Sequence, residues 1–165
     1  MCPIIDHDIR YMHLQDAPYL KEWLLSPRML EGFPMSDEKE TEDTIQCWMG
    51  FCRYNCGLTV TVDDIPCAMG VLFLMPYRKV AHHCIFNMIV APEWQRKGIG
   101  SSLLKNLKHL AKTYFSIEWM LIDVFEGTQI APFLLKREFT ILLKQEDYVK
   151  DETGYKARLL MECAL

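Results

Sequence analysis

The stretch Asn87–Lys112, NMIVAPEWQRKGIGSSLLKNLKHLAK, changes its hydrophobic period halfway along, and this restricts what the chain can fold into more than any other segment does. The apolar run of Ile85, Phe86, Met88, Ile89 and Val90 reads as a buried strand, which Pro92 stops. Beyond Gly98 the residues Leu103, Leu104, Leu107, Leu110 and Ala111 recur at intervals of three and four, while Lys105, Lys108 and Lys112 fall on the other faces. That spacing predicts an amphipathic helix over 101–114. A strand therefore hands over to a helix through a loop that holds Gln95, Arg96, Lys97, Gly98, Ile99 and Gly100.

Such a loop is suited to an anion. The first turn of a helix has N–H groups without intrahelical partners and lies at the positive end of the helix dipole. Two glycines let a ligand approach the main chain, and Arg96 and Lys97 add adjacent cations, so the loop can receive a phosphate or pyrophosphate. Glycines placed there for packing alone are the plainer explanation. The spacing is not that of a dinucleotide fold, because Leu103 stands at the third glycine position, and no Gly-Lys-Ser/Thr marks a Walker loop.

Val90, Pro92, Glu93, Gln95, Arg96, Lys97, Gly98, Ile99, Gly100 and Leu104 fit a Q/R-x-x-G-x-G/A signature. Together they resemble the acetyl-CoA loop of the GNAT N-acetyltransferase superfamily. The resemblance implies that a bulge splays the preceding strand so that Met88, Ile89 and Val90 pair with the pantetheine arm. It also implies that Gln95, Arg96, Lys97, Gly98, Ile99, Gly100 and Ser101 surround the pyrophosphate, with Thr128 at the start of a later helix as a further cofactor contact. The block 85–100 and the ending 121–165 are similar to the ribosomal-protein alanine N-acetyltransferases, whereas the opening looks like branches that acetylate amino termini or small amines.

With 165 residues, half of them hydrophobic, the chain suits one domain, 1–165, able to bury a core without disulfides or metals. A net charge of −4 and a pI near 5.7 offer no general attraction to nucleic acid and favour amine-bearing partners. Seven cysteines, Cys2, Cys47, Cys52, Cys56, Cys67, Cys84 and Cys163, are scattered without a paired ligand spacing, so reduced and mostly buried thiols are expected, with no metal site. The sequence MCPIIDHDIR lacks a signal-peptide pattern and no apolar run approaches membrane-spanning length, which implies a cytoplasmic protein with no membrane partner. A homodimer stays open.

Along the chain, the patterns predict a strand over 9–14 and a helix capped by Asp16 that ends near Leu25. A polar surface loop over 31–43, a helix from about Thr44 to Tyr54 and a strand pair, 57–62 and 67–75, follow. Later strands are expected at 80–90, 119–125, 139–144 and 156–162, with a helix over 129–137. This order is that of a GNAT-like α/β (α+β) domain, a mixed and mostly antiparallel sheet of six to seven strands flanked by about four helices.

Transfer of an acetyl group from a thioester to an amine needs a neutral amine, a polarised carbonyl and a proton for the departing thiolate. Asp123, a carboxylate within the apolar run 119–125, matches the position of the catalytic acid in the alanine N-acetyltransferases; a structural ion pair would explain it equally. His82 has a suitable pKa range, against the plainer reading of a surface or core histidine. Tyr148 and Tyr155 flank an acidic link where relatives grip an acceptor; Tyr148 is a catalytic candidate, each is a candidate proton donor to the departing thiolate, and simple packing is the plainer reading of both. The segment TQIAPFLLKREF departs from the family: Leu134 or Leu135 replaces the tyrosine that protonates CoA, and Glu138 replaces a glycine. Two functions follow from the resemblance, an acetyl-CoA-dependent acetyltransferase acting on a protein N-terminus or small amine, or an acyl-CoA-binding module without turnover.

Overall fold

The computed structural model describes residues 5–165, so Cys2 lies outside the described residues. The strands are β1 (Asp8–Tyr11), β2 (Gly57–Val62), β3 (Ile65–Leu74), β4 (His83–Val90), β5 (Trp119–Phe125), β6 (Thr140–Asp151) and β7 (Gly154–Ala164). They form one sheet in the order β1-β2-β3-β4-β5-β7-β6. All neighbours are antiparallel except β4 and β5. The helices are α1 (Ala17–Leu25), α2 (Pro27–Leu30), α3 (Glu38–Gly50), α4 (Ile99–Phe115) and α5 (Ile130–Leu135).

Strand alternation divides the apolar residues between two cores. Leu103, Leu104, Leu107 and Ala111 of α4 pack with Leu58, Val60, Phe86, Met88, Met120, Ile122, Leu159 and Met161 on one side of the sheet. On the other side, Leu20 and Trp23 of α1 and Ile45, Trp48 and Met49 of α3 pack with Met69 and Val71 of β3 and with Ile89 of β4. That second core takes no residue from β5, β6 or β7. One face of the last three strands is therefore left without helical cover.

Several boundaries differ from the sequence expectation for identifiable reasons. α3 begins at Glu38, inside the expected loop, because the Asp37 side chain accepts from the Glu40 N–H at 2.8 Å and caps the helix before its apolar stripe starts. β4 begins at His83 because Arg78–Val80 form a turn of 3-10 helix. The hairpin turn is Asp63–Asp64, both at positive φ, and Pro66 lies within β3 at the shifted register opposite Thr61, where a missing N–H is tolerated. α5 is shorter than expected, and Glu138 after it adopts φ 70°, the left-handed conformation that a glycine takes without strain. β6 and β7 run far past the expected ends and meet in a tight hairpin, so Tyr148 and Tyr155 lie within strands.

Asp16 caps α1 by position, but its side chain does different work. It accepts two bonds from Arg10, at 2.8 and 2.7 Å, one from the His13 N–H at 2.9 Å and one from the Thr59 hydroxyl at 2.8 Å. These bonds tie β1 and the first turn to β2. Burial opposes the charge, but Arg10, His13 and Thr59 outweigh it and hold the Asp16 carboxyl below its ordinary value. The stability it supplies is thus present above the usual carboxylate pKa of about 3.9 and is lost as pH falls toward the lower folded value. Asp16→Asn is expected to lower the unfolding free energy at pH 7 by about 2 kcal/mol in urea titrations, and the gap to the parent should shrink below pH 4. A gap unchanged down to pH 2 would show that the carboxylate charge is irrelevant.

Candidate active site

β4 and β5 pair over three residues, His83–Trp119, Cys84–Met120 and Ile85–Leu121, and then diverge. From Phe86 onward β4 keeps its ladder with β3, in unbroken register, but pairs no further residue with β5. The bulge implied by the family resemblance is therefore absent from the β3–β4 register; the opening comes from the loss of parallel pairing. The Ala91 N–H donates to the Cys67 carbonyl at 2.9 Å, so odd-numbered residues of β4 direct their backbone groups at β3. By alternation, the Phe86 N–H closes the last parallel pair with Leu121, and the Phe86 C=O and the N–H and C=O groups of Met88 and Val90 turn into the wedge. Ile89 serves differently, as a side chain buried in the second core.

The open edge leads directly to the anion-receiving loop. Gln95 Nε2 donates to the Val90 carbonyl at 3.1 Å and fixes the exit from the strand. Arg96 and Gly98 both have positive φ, which folds the loop tightly onto the start of α4. Ile99 is fully buried and anchors it. The first intrahelical bond runs from the Ser102 N–H to the Gly98 carbonyl at 3.1 Å, so the amides of Ile99, Gly100 and Ser101 lie ahead of the ladder, with no side-chain cap. Arg96 and Lys97 are exposed beside them, with Lys97 Nζ 4.7 Å from the Trp94 ring centre.

A cation missed in the sequence joins this group. Arg137 lies flat on Phe133, at 3.8 Å, and donates to the Phe133 carbonyl and to the Ser101 hydroxyl. The cue was weak, an arginine at the end of a short helix. Thr128 spends its hydroxyl on the Phe125 carbonyl at 2.7 Å, closing the turn after β5 and leaving acceptor capacity for a ligand.

The remaining predicted residues separate. Asp123 is exposed on the uncovered face, not buried with its strand, because its neighbours Ile122 and Val124 take the core side. Arg158 Nε stands 3.5 Å from Asp123 Oδ1, and the same guanidinium lies 4.4 Å above the Tyr148 ring. A register shift between Gln145 and Val149, with Asp147 at φ 52°, brings Tyr148 to that position. His82, by contrast, precedes the paired part of β4, at the closed end of the wedge, and its carbonyl holds the start of β5 through the amides of Glu118 and Trp119. It is not brought near Asp123. Leu134 is buried in the core and Leu135 is exposed, and neither aliphatic side chain has a proton to donate.

Among the described residues the thiols are free: Cys56, Cys67, Cys84 and Cys163 are buried, and burial pushes Cys84 up to about 12. Among the described residues no three His, Cys, Asp or Glu side chains cluster as metal ligands, and no helix is long and apolar enough to cross a membrane.

Residues 17–139 match the Acetyltransferase (GNAT) family, and the chain belongs to that family. An acetyltransferase of the GNAT family from Streptococcus pneumoniae has a TM-score of 0.76 at 19% identity, covering 97% of this chain and 100% of that one. The ribosomal-protein-alanine N-acetyltransferase from Brucella melitensis scores 0.80 at 17% identity, over 96% and 99%. YncA from Salmonella typhimurium, solved with its cofactor acetyl-CoA, scores 0.79 at 15% identity, over 97% and 94%. These structures share the fold. No curated protein sequence matches the chain.

Gly100 tests the anion site cleanly. A Cβ there would meet Val90 Cγ2 at 3.4 Å and the Phe133 ring at 3.6 Å, ordinary contacts, so the charge of Gly100→Asp rather than its bulk should dominate. Calorimetric titration should show CoA binding weakened at least tenfold, about 1.4 kcal/mol, with little change in the Tm of the free protein. Equal affinity in both proteins would remove the phosphate from this loop.

Proposed function

We propose that the chain is an acetyl-CoA-dependent N-acetyltransferase that delivers the acetyl group to a primary amine by direct attack on the thioester. The supporting observation is the wedge between β4 and β5, whose open backbone edge is followed, across the loop that Gln95 fixes to the Val90 carbonyl, by the free amides at the start of α4. Acetyl-CoA supplies an activated carbonyl and a thiolate leaving group.

On this reading the loop amides from Arg96 to Ser101, with Arg96 and Lys97, hold the pyrophosphate, and Gln95 keeps the entry in shape. Met88 and Val90 offer the main-chain groups that align an amide-bearing arm, and an N–H of this edge stabilises the oxyanion as the amine nitrogen attacks. Asp123, on the exposed face beside the wedge, holds the acceptor ammonium and accepts its proton directly or through water. Breaking the C–S bond requires a proton for sulfur. With Leu134 buried, Tyr148 is the hydroxyl assigned to that step, and water serves otherwise; a thiol pKa of about 8.5 makes the thiolate a tolerable leaving group.

The absence of a hydroxyl on α5 favours the second reading, binding without turnover, and the two separate in one assay. Release of free thiol from acetyl-CoA is measured against peptides, polyamines and amino acids. Asp123→Asn is expected to lower kcat/KM on the order of a hundredfold with CoA affinity retained, and Tyr148→Phe to lower kcat alone. CoA binding without thiol release from any acceptor would establish the non-catalytic reading.

A further inference from the structure

Arg158 is placed and charged in a way that the proposed chemistry leaves unexplained. It projects from β7 onto the uncovered face, with its side chain 24% exposed. Its Nε is buried and has no hydrogen-bond partner among the described residues. Asp123, its ion-pair partner, stands off at 3.5 Å, beyond a normal N–H···O bond. A buried donor without an acceptor is costly, and native structures seldom leave one unless a ligand, ion or water completes it. Its guanidinium carbon lies 4.4 Å above the Tyr148 ring, a cation–π contact that restricts where the group can point. A guanidinium with unspent donors matches a carboxylate, which accepts two parallel N–H bonds.

Position narrows the ligand further. Asp123 and Arg158 present opposite charges a few ångströms apart on the same face. Asp123 attracts an ammonium group and Arg158 a carboxylate, so the pair is complementary to a molecule that carries both within one or two carbons. We infer that the acceptor is a free α-amino acid, with its amine at Asp123 and its α-carboxylate on Arg158, rather than a protein N-terminus, whose first carboxyl is an amide. This rests on the transferase reading and specifies its acceptor. Lys156, two residues along β7, does not compete for the role, because it is paired with Asp151 at 2.8 Å.

The experiment compares free L-amino acids with their α-amides and with short peptides, using thiol release from acetyl-CoA. The α-amide keeps the amine and side chain and removes the carboxylate. The expected result is kcat/KM at least thirtyfold higher for the acids than for the matched amides, carried mainly by KM, since a carboxylate contact is made before and during the reaction. Arg158→Met keeps an apolar stem on Tyr148 and should bring the acid-to-amide ratio close to one, while Arg158→Lys restores part of it. Amides or peptides used as well as acids, or a ratio unmoved by Arg158→Met, would overturn the inference even with the transferase reading intact. If no acceptor releases thiol, saturation-transfer NMR on the CoA-loaded protein decides: binding of acids but not amides, lost in Arg158→Met, sustains the amino-acid site at Asp123 and Arg158 while the transferase reading fails. No such binding overturns both.

Discussion

The parallel pairing of β4 and β5 lasts three residues, and the proposed site depends on its early end. A buried sheet normally satisfies every backbone N–H and C=O, because an unpaired group away from water costs as much as a lost hydrogen bond. β4 departs from that rule along one edge, with β3 still satisfying the other. The geometry persists because both strands are over-determined elsewhere: Phe86 and Met88 are fixed in the core with α4, Ile89 in the core with α1 and α3, and β5 is paired along its whole length with β7. The wedge is thus a stable feature whose unspent backbone groups suit a ligand that itself bears amides.

The two cores account for the separation of labour around the wedge. α4 covers one side and places its amino-terminal end where the strand finishes, so the positive end of a 17-residue helix closes the open edge. α1 to α3 cover the β2–β4 part of the opposite side, which leaves Asp123 and Tyr148 exposed and Arg158 partly exposed on the neighbouring strands. The amino-terminal end of α4 lies on one side of the sheet and the Asp123–Arg158 pair on the other, with the wedge between them.

Sequence legibility followed the range of the interactions involved. The loop 95–101 was readable because a change of period, a proline and two glycines are all local, and β5 was placed to the residue because it is apolar between clear breaks. β6 was cut short because an edge strand exposed along most of its length carries no alternation to detect. The exposure of Asp123 could not be read from its apolar run, since burial belongs to a face, and which face a helix covers is a long-range outcome. Arg158 passed unnoticed for the same reason: within ARLLMECA it is one cation in an alternating run, and only strand pairing brings it to Asp123 and Tyr148. The wedge itself has no sequence signature, because register between strands more than thirty residues apart cannot be read from either one.

The central claim, that the wedge is a ligand site lined by alternate main-chain groups, is tested most directly by amide hydrogen exchange of β4 with and without acetyl-CoA. Odd-numbered amides are already bonded to β3 and the Phe86 amide to Leu121 of β5, whereas those of Met88 and Val90 face the opening. Saturating acetyl-CoA should slow exchange in this even-numbered set and at Ile99, Gly100 and Ser101, while Asn87 and Ile89 change little. Uniform protection along β4, or protection confined to α4 with the even-numbered amides unaffected, would contradict the account.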